Sequence, residues 1–112
     1  MIVGVAGPYS APTADERQKN LDAMNKAAAE VYKKGHIPFI GINISVPVVN
    51  QMEFENEEDK YQAIMEMSLA LIDQCDAMLV IRESRGVQME KEHILSKGLP
   101  IYYSLSELPL PK

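Results

Sequence analysis

The chain is 112 residues long, 46% hydrophobic and 24% charged, which suits a single domain with a modest core. Eleven basic residues stand against sixteen acidic ones, for a net charge of -5. No basic block or stripe occurs, which argues against nucleic-acid binding by counterion release and against docking on an anionic membrane surface. A lone cysteine, Cys75, excludes an internal disulfide and a cysteine-rich metal site, and it suits a reducing compartment.

The opening "IVGVA" (Ile2 to Ala6) is a continuous apolar run of the kind a buried parallel strand needs. It gives way to "GPYSAP", a loop marked by Gly7, Pro8 and Pro12. Thr13 and Glu16 have the spacing of a capping box, predicting a helix over "ADERQKNLDAMNKAAAEVYKK" that buries Leu21, Met24, Ala28, Val31 and Tyr32 and stops at Gly35. "IPFIGI" (Ile37 to Ile42) reads as the second strand. The next segment, "NISVPVVNQMEFENEED", is polar and interrupted by proline, and reads as a long binding loop or lid. A second helix is expected over "EEDKYQAIMEMSLALIDQC", with Tyr61, Ile64, Met65, Leu69 and Ile72 on one face. "DAMLVI" is the third strand, "GVQMEKEHILSK" a third helix ended by Gly98, and "PIYYS" the fourth strand. The tail "LSELPLPK" is too rich in proline to continue regularly.

The order β-α-β-α-β-α-β predicts one α/β domain spanning residues 1–112. Its parallel sheet of four or five strands has right-handed crossovers and helices on both faces, in the flavodoxin or Rossmann manner. No segment approaches the ~20 apolar residues of a membrane span, and "MIVGVAGPYS" lacks the basic start of a signal peptide, so a cytoplasmic protein is expected. His36 and His93 lack ligand spacing, and no metal or cofactor is expected.

Ligands of open α/β sheets bind at the carboxyl ends of the strands. That rule selects Gly7 to Ser10, Gly41 to Asn50, Arg82 to Glu90 and Ser104 to Ser106, and it sets aside Asp73, Asp76 and His36, which precede strands. "GPYSAPT" has the composition of a phosphate or ribose cradle and equally that of a proline-stiffened turn. It matches neither GxGxxG nor GxxxxGK[ST]. In "SRGVQME", Ser84 can cap a helix or bind an anion beside free N–H groups. Glu90 falls in the first turn of that helix or just beyond it. There the helix dipole would favour the ionised carboxylate. On spacing alone Glu90 reads as an ordinary surface charge, since acidic residues are common at helix starts. Arg17 and Arg85 can face an anionic ligand or solvent. Asn43, Ser45 and Asn50 lie in the long segment within reach of a ligand. The methionines at 24, 65, 67 and 89 read as core packing, with Met89 close to Glu90. Tyr102 and Tyr103 read as one core and one interface residue.

"AGPYS", then Arg17, Asn20 and Ala23 on the first helix, then "GHIPF" and "CDAMLVI...SRGVQMEKE", together resemble the nucleoside 2-deoxyribosyltransferase-like superfamily, nearest its 2'-deoxynucleoside 5'-monophosphate N-glycosidases. The likeness runs from Ile2 to about Ser104 and is weakest over Asn43 to Asp59. It implies a doubly wound sheet and a reaction at the N-glycosidic bond. Glu90 would be the nucleophile that expels the base and forms a glycosyl ester, resolved by water or a second base. It further implies that Ser84 meets a 5'-phosphate, that Gly7, Tyr9 and Ser10 line the sugar–phosphate pocket, that Gly86 and Asn43 also belong to the substrate site, and that the protein is a homodimer or larger homo-oligomer. The partner is then a small nucleoside or nucleotide, with neither nucleic acid nor membrane. One position departs: an acid expected on the second helix is replaced by Ser68, and Glu66, the nearest acid, lies about 200° away around that helix. A binding or sensing domain of the same fold that turns nothing over is therefore the alternative.

Overall fold

The computed structural model describes residues 1–110; the end of the tail, Pro111 and Lys112, lies outside them. Strand β1 (Ile2–Ala6) leads into helix α1 (Ala14–Lys33), and β2 (Ile37–Phe39) is followed by two helices, α2 (Gly41–Val49) and α3 (Glu57–Ile72). Then come β3 (Ala77–Val80), α4 (Arg85–Ser96), β4 (Ile101–Tyr102) and a 3-10 turn over Leu105–Glu107. The four strands form one sheet in the order β2-β1-β3-β4. All pairings are parallel, with Val3 beside Pro38 and Ala77, and Met78 beside Ile101. The molecule is thus an α/β domain with the flavodoxin-like strand order, and its chain direction switches between β1 and β3.

Alternation along the two central strands builds a core on each face. Val3, Val5 and Leu79 pack against Met24, Ala28 and Val31 of α1. Met78 and Val80 turn the other way, onto Ile72 of α3 and Val87 and Ile94 of α4. Full burial of each such side chain contributes roughly 1.5–3 kcal/mol, so the two middle strands are fixed firmly and their ends are well placed. Thr13 caps α1 as its spacing predicts, its Oγ1 accepting the Glu16 N–H at 3.1 Å. Gly35 and Gly98 follow α1 and α4 with φ of 92° and 72°, the left-handed conformation that glycine adopts without penalty.

The helices differ from the sequence reading in one important place. The segment read as a long loop contains α2, despite Pro47 inside it. Pro47 lacks only the N–H that would have bonded the Asn43 carbonyl, a loss that a nine-residue helix survives when its face is buried. Ser45, Val46 and Val49 supply that face, and Val46 and Val49 pack with Ile64 of α3. Tertiary packing overrides a poor helix propensity here. Because α2 begins at Gly41, β2 ends at Phe39 and Ile40 becomes the residue before the helix. Tyr32, expected inside, is 66% exposed, because it lies just off the stripe that Met24, Ala28 and Val31 bury.

The amino edge of the sheet is tied down by the residues set aside as ligands. Asp76 accepts the Ile2 N–H at 2.8 Å, and Asp73 pairs with His93 and Lys97. His36 is buried and joins the Met1 amine to the Pro109 carbonyl at 3.3 and 2.6 Å. Since a carbonyl can only accept, Nε2 carries the hydrogen. Leu108, in the tail, is buried in the core against α1. No helix among the described residues is long and apolar enough to cross a membrane.

Candidate functional site

Strands β1 and β3 end side by side at the carboxyl edge, and the loops after them come very close. A Cβ on Gly7 would stand 2.7 Å from Cγ1 of Ile81, so only glycine lets the two turns meet without displacement. Beside this junction opens a cleft of about 620 Å³. It is lined by Tyr9, Ser10 and Arg17, by Val46 of α2 and Asn50 at its C-cap, and by Glu58, Lys60, Tyr61 and Arg85. Tyr9 is half-buried, and its carbonyl accepts from Asn20 Nδ2 at 3.0 Å. Arg17 donates to the Ala11 carbonyl at 2.8 Å, which holds it against the loop.

The "SRGVQME" turn adjoins this cleft and only partly lines it. Ser84 is the N-cap of α4, its Oγ accepting the Val87 N–H at 3.2 Å. As an acceptor it is engaged, while its hydroxyl hydrogen is still free to donate. Arg85 is the one residue of the turn in the cleft wall. Its two terminal nitrogens reach both oxygens of Glu58 at 3.2 and 2.9 Å, and its guanidinium lies 4.4 Å from the centroid of the Tyr61 ring. Gly86 admits α3: a Cβ there would be 3.1 Å from Met65 Sδ and 3.5 Å from the Tyr61 hydroxyl.

Glu90, the sixth residue of α4, is half-buried, and no hydrogen bond to its side chain is found among the described residues. Burial pushes its carboxyl up to about 7. The helix dipole was expected to favour the ionised form. It acts over the first turn only, and at the sixth position desolvation is the stronger effect. Glu90 does not line the cleft. Tyr61 lines the cleft, packs its hydroxyl 3.8 Å from Sδ of Met89, the neighbour of Glu90 in sequence, and has its pKa raised chiefly by burial, with a smaller contribution from the Glu90 charge.

Of the sequence candidates, Tyr9 and Ser10 line the cleft and Gly7, Ser84, Gly86 and Glu90 do not; Gly7 meets Ile81 at the junction of the two turns, and Gly86 packs against Met65 and Tyr61. Nor does Asn43 line it: it is exposed on α2 and donates to Asn25 Oδ1 of α1 at 2.9 Å. Ser68 is 1% exposed and bonded to Ser45 at 3.3 Å, and a Cβ on Gly41 would stand 3.1 Å from its Oγ. The position where an acid was expected is therefore sealed between α2 and α3, with no room for a carboxylate. Glu58, Lys60 and the exposed role of Tyr61 were not read from the sequence. Tyr61 sits at helical spacing with core residues, and nothing local says that Arg85 will stack on it and pair with Glu58, 27 residues earlier in the chain. Cys75 is buried, and desolvation raises its thiol to about 11, far from a reactive thiolate. No three His, Cys, Asp or Glu side chains gather as metal ligands would among the described residues.

A family model described as a domain of unknown function, DUF7768, matches residues 1–104. The chain belongs to that family. The match takes in all four strands and all four helices of the DUF7768 domain, together with every residue of the cleft and of the "SRGVQME" turn. The family description carries no activity. No curated protein matches the chain.

Proposed function

We propose that this DUF7768 protein takes a nucleoside or its 5'-monophosphate into the cleft at the carboxyl edge of its sheet. There it cleaves or exchanges the N-glycosidic bond, as the likeness to the nucleoside 2-deoxyribosyltransferase-like superfamily implies. The observation that carries this reading is Glu90: a half-buried carboxylate with its pKa raised to about 7, on the helix that follows the switch-point strand β3. Strongly shifted groups concentrate where chemistry is done. With no hydrogen-bond partner among the described residues, both oxygens of this carboxylate are free to meet an electrophile.

In the step proposed, an ionised Glu90 oxygen bonds to the anomeric carbon as the bond from that carbon to the base nitrogen breaks. The electron pair leaves with the base, which takes its proton from solvent. Water then attacks the sugar ester, freeing Glu90 and passing its proton to solvent; a second base in place of water gives exchange. Glu90 does not line the cleft, so the reaction requires Tyr61, which lines the cleft and touches Met89, to turn aside. Only the ionised form attacks, so kcat/KM rises with pH through about 7 and levels above it. The reading places the protein in the cytoplasm as a homo-oligomer without metal or cofactor, with its unreactive Cys75 thiol suited to a reducing compartment.

A second reading, binding without turnover, is favoured by the sealed Ser68 site and by the position of Glu90 outside the cleft lining. One assay separates the two: chromatographic detection of free base from deoxynucleosides, ribonucleosides and their 5'-monophosphates, with Glu90→Ala beside the parent. Release that disappears in the variant supports catalysis. No release from any compound, in a protein that one of them still stabilises against heat, supports binding alone. Equal release by both proteins overturns the role of Glu90.

A further inference from the structure

The cleft wall carries three cations, Arg17, Lys60 and Arg85, and they are not equivalent. Arg17 is bonded to the Ala11 carbonyl and anchors the β1 loop. Lys60 offers a single mobile ammonium group. Arg85 presents a planar fork, already in bidentate geometry, to both oxygens of Glu58. Its flat face rests on the Tyr61 ring, which limits the orientations it can adopt.

We infer that Arg85 is the residue that selects phosphorylated ligands, and that Glu58 occupies its fork until a phosphate replaces it. This rests on the proposal that the cleft receives a nucleoside or nucleotide. The Glu58 carboxylate and a phosphate monoester present the same thing to a guanidinium, two coplanar anionic oxygens, and the phosphate carries the greater charge. Both members of the Arg85–Glu58 pair are more than half exposed, and such pairs add little to stability, so exchanging one partner for another costs the fold little. Ser84 lies one residue before Arg85, with its hydroxyl hydrogen uncommitted, and the α4 N-terminus directs free N–H groups to the same place. The phosphate that Arg85 accepts is thereby held at the start of α4, where Arg85 enters the cleft wall. An unphosphorylated nucleoside has nothing to displace Glu58 and leaves the pair intact.

The test is calorimetric titration of deoxynucleoside 5'-monophosphates and the matching deoxynucleosides into the parent, Arg85→Gln and Glu58→Gln proteins. The inference expects Arg85→Gln to lose about tenfold or more in monophosphate affinity, and to leave deoxynucleoside affinity within about twofold. It expects Glu58→Gln to gain monophosphate affinity, because the fork is then unoccupied. Either substitution breaks the same ion pair, so a merely structural role would move the two variants in the same direction. That outcome overturns the inference, as does parent protein that binds both ligand classes equally. Affinity is read without turnover, so base release can fail while this selectivity holds. Base release can equally be found with no phosphate preference, which would remove Arg85 and leave Glu90 in place. Absence of binding by either class would remove both.

Discussion

Replacing Glu90 by glutamine tests whether its carboxylate is a strained functional group or an ordinary helix charge. Burial holds the carboxyl at about 7 where the ordinary value is 4.5. At about 1.4 kcal/mol for each pH unit, ionising it in the folded protein costs about 3 kcal/mol. The sign follows from proton binding. The folded chain holds this proton more tightly than the unfolded chain, so the stability it contributes is complete below about pH 4.5. That stability is lost as the pH climbs towards 7, and above 7 nothing further is lost. Glutamine keeps the shape and carries no charge. At pH 8 Glu90→Gln is therefore expected to be more stable than the parent by about 3 kcal/mol, or roughly 10 °C in Tm for a domain of this size. At pH 5 the difference should shrink to under about 1 kcal/mol. Thermal melts followed by circular dichroism at the two pH values measure this, and titrations common to both proteins cancel in the difference. A variant that is no more stable at pH 8, or one whose gain is equal at both pH values, would refute the reasoning. Glu90 would then be a solvated charge.

Two further substitutions check the surroundings of the site. Ser84→Ala removes the N-cap of α4 and should cost about 1 kcal/mol in chemical unfolding; Ser84→Asp, which can still accept the Val87 N–H, should recover that stability while repelling a monophosphate, measured as lost ligand-induced stabilisation. Ser68→Asp places a carboxylate in the dry contact of α2 with α3, where Ser45 is its one polar neighbour, and should lower stability at pH 7 by about 3 kcal/mol or more. Part of that loss should return as the pH falls and the new carboxyl is protonated; a variant as stable as the parent would show that the α2–α3 contact is looser than its geometry indicates.

The sheet was legible because β1 and β3 are buried on both faces, and such strands are continuous apolar runs. Val3 to Ala6 and Ala77 to Val80 are buried at every position, so nothing polar interrupts the pattern and the order of elements follows. The helix caps were legible for a different reason. Thr13 accepts a hydrogen bond three residues along its own chain, and interactions of that range are written in short stretches. α2 was not legible. Its stability comes from Ile64 and the other α3 residues it packs against, and its own residues, β-branched with a central proline, argue for an irregular segment. The same limit hid the cleft. Arg85, Tyr61 and Glu58 meet only after β3, α3 and α4 have packed, and no spacing within one segment announces a bidentate pair between residues 27 apart.

Glu90 shows where that limit bears on function. Its position after β3 could be read from the chain, and with it the dipole of α4. The dipole alone predicts an ionised, readily tolerated carboxylate, with nothing to distinguish it from the acids at the starts of α1 and α3. What separates it is burial, imposed once α4 has packed; Met65 and Tyr61 of α3 close on the neighbouring Gly86 turn, and Tyr61 reaches Met89. A carboxylate with a pKa of about 7 is half ionised at neutral pH and a stronger nucleophile than one at 4.5, because it binds a proton, and by the same chemistry an electrophilic carbon, more tightly. In the reaction proposed, the wall that costs the fold stability is also the source of reactivity. If Tyr61 is that wall, Tyr61→Ala should admit water, lower the pKa of Glu90, and weaken nucleophilic attack even as it opens the path from the cleft.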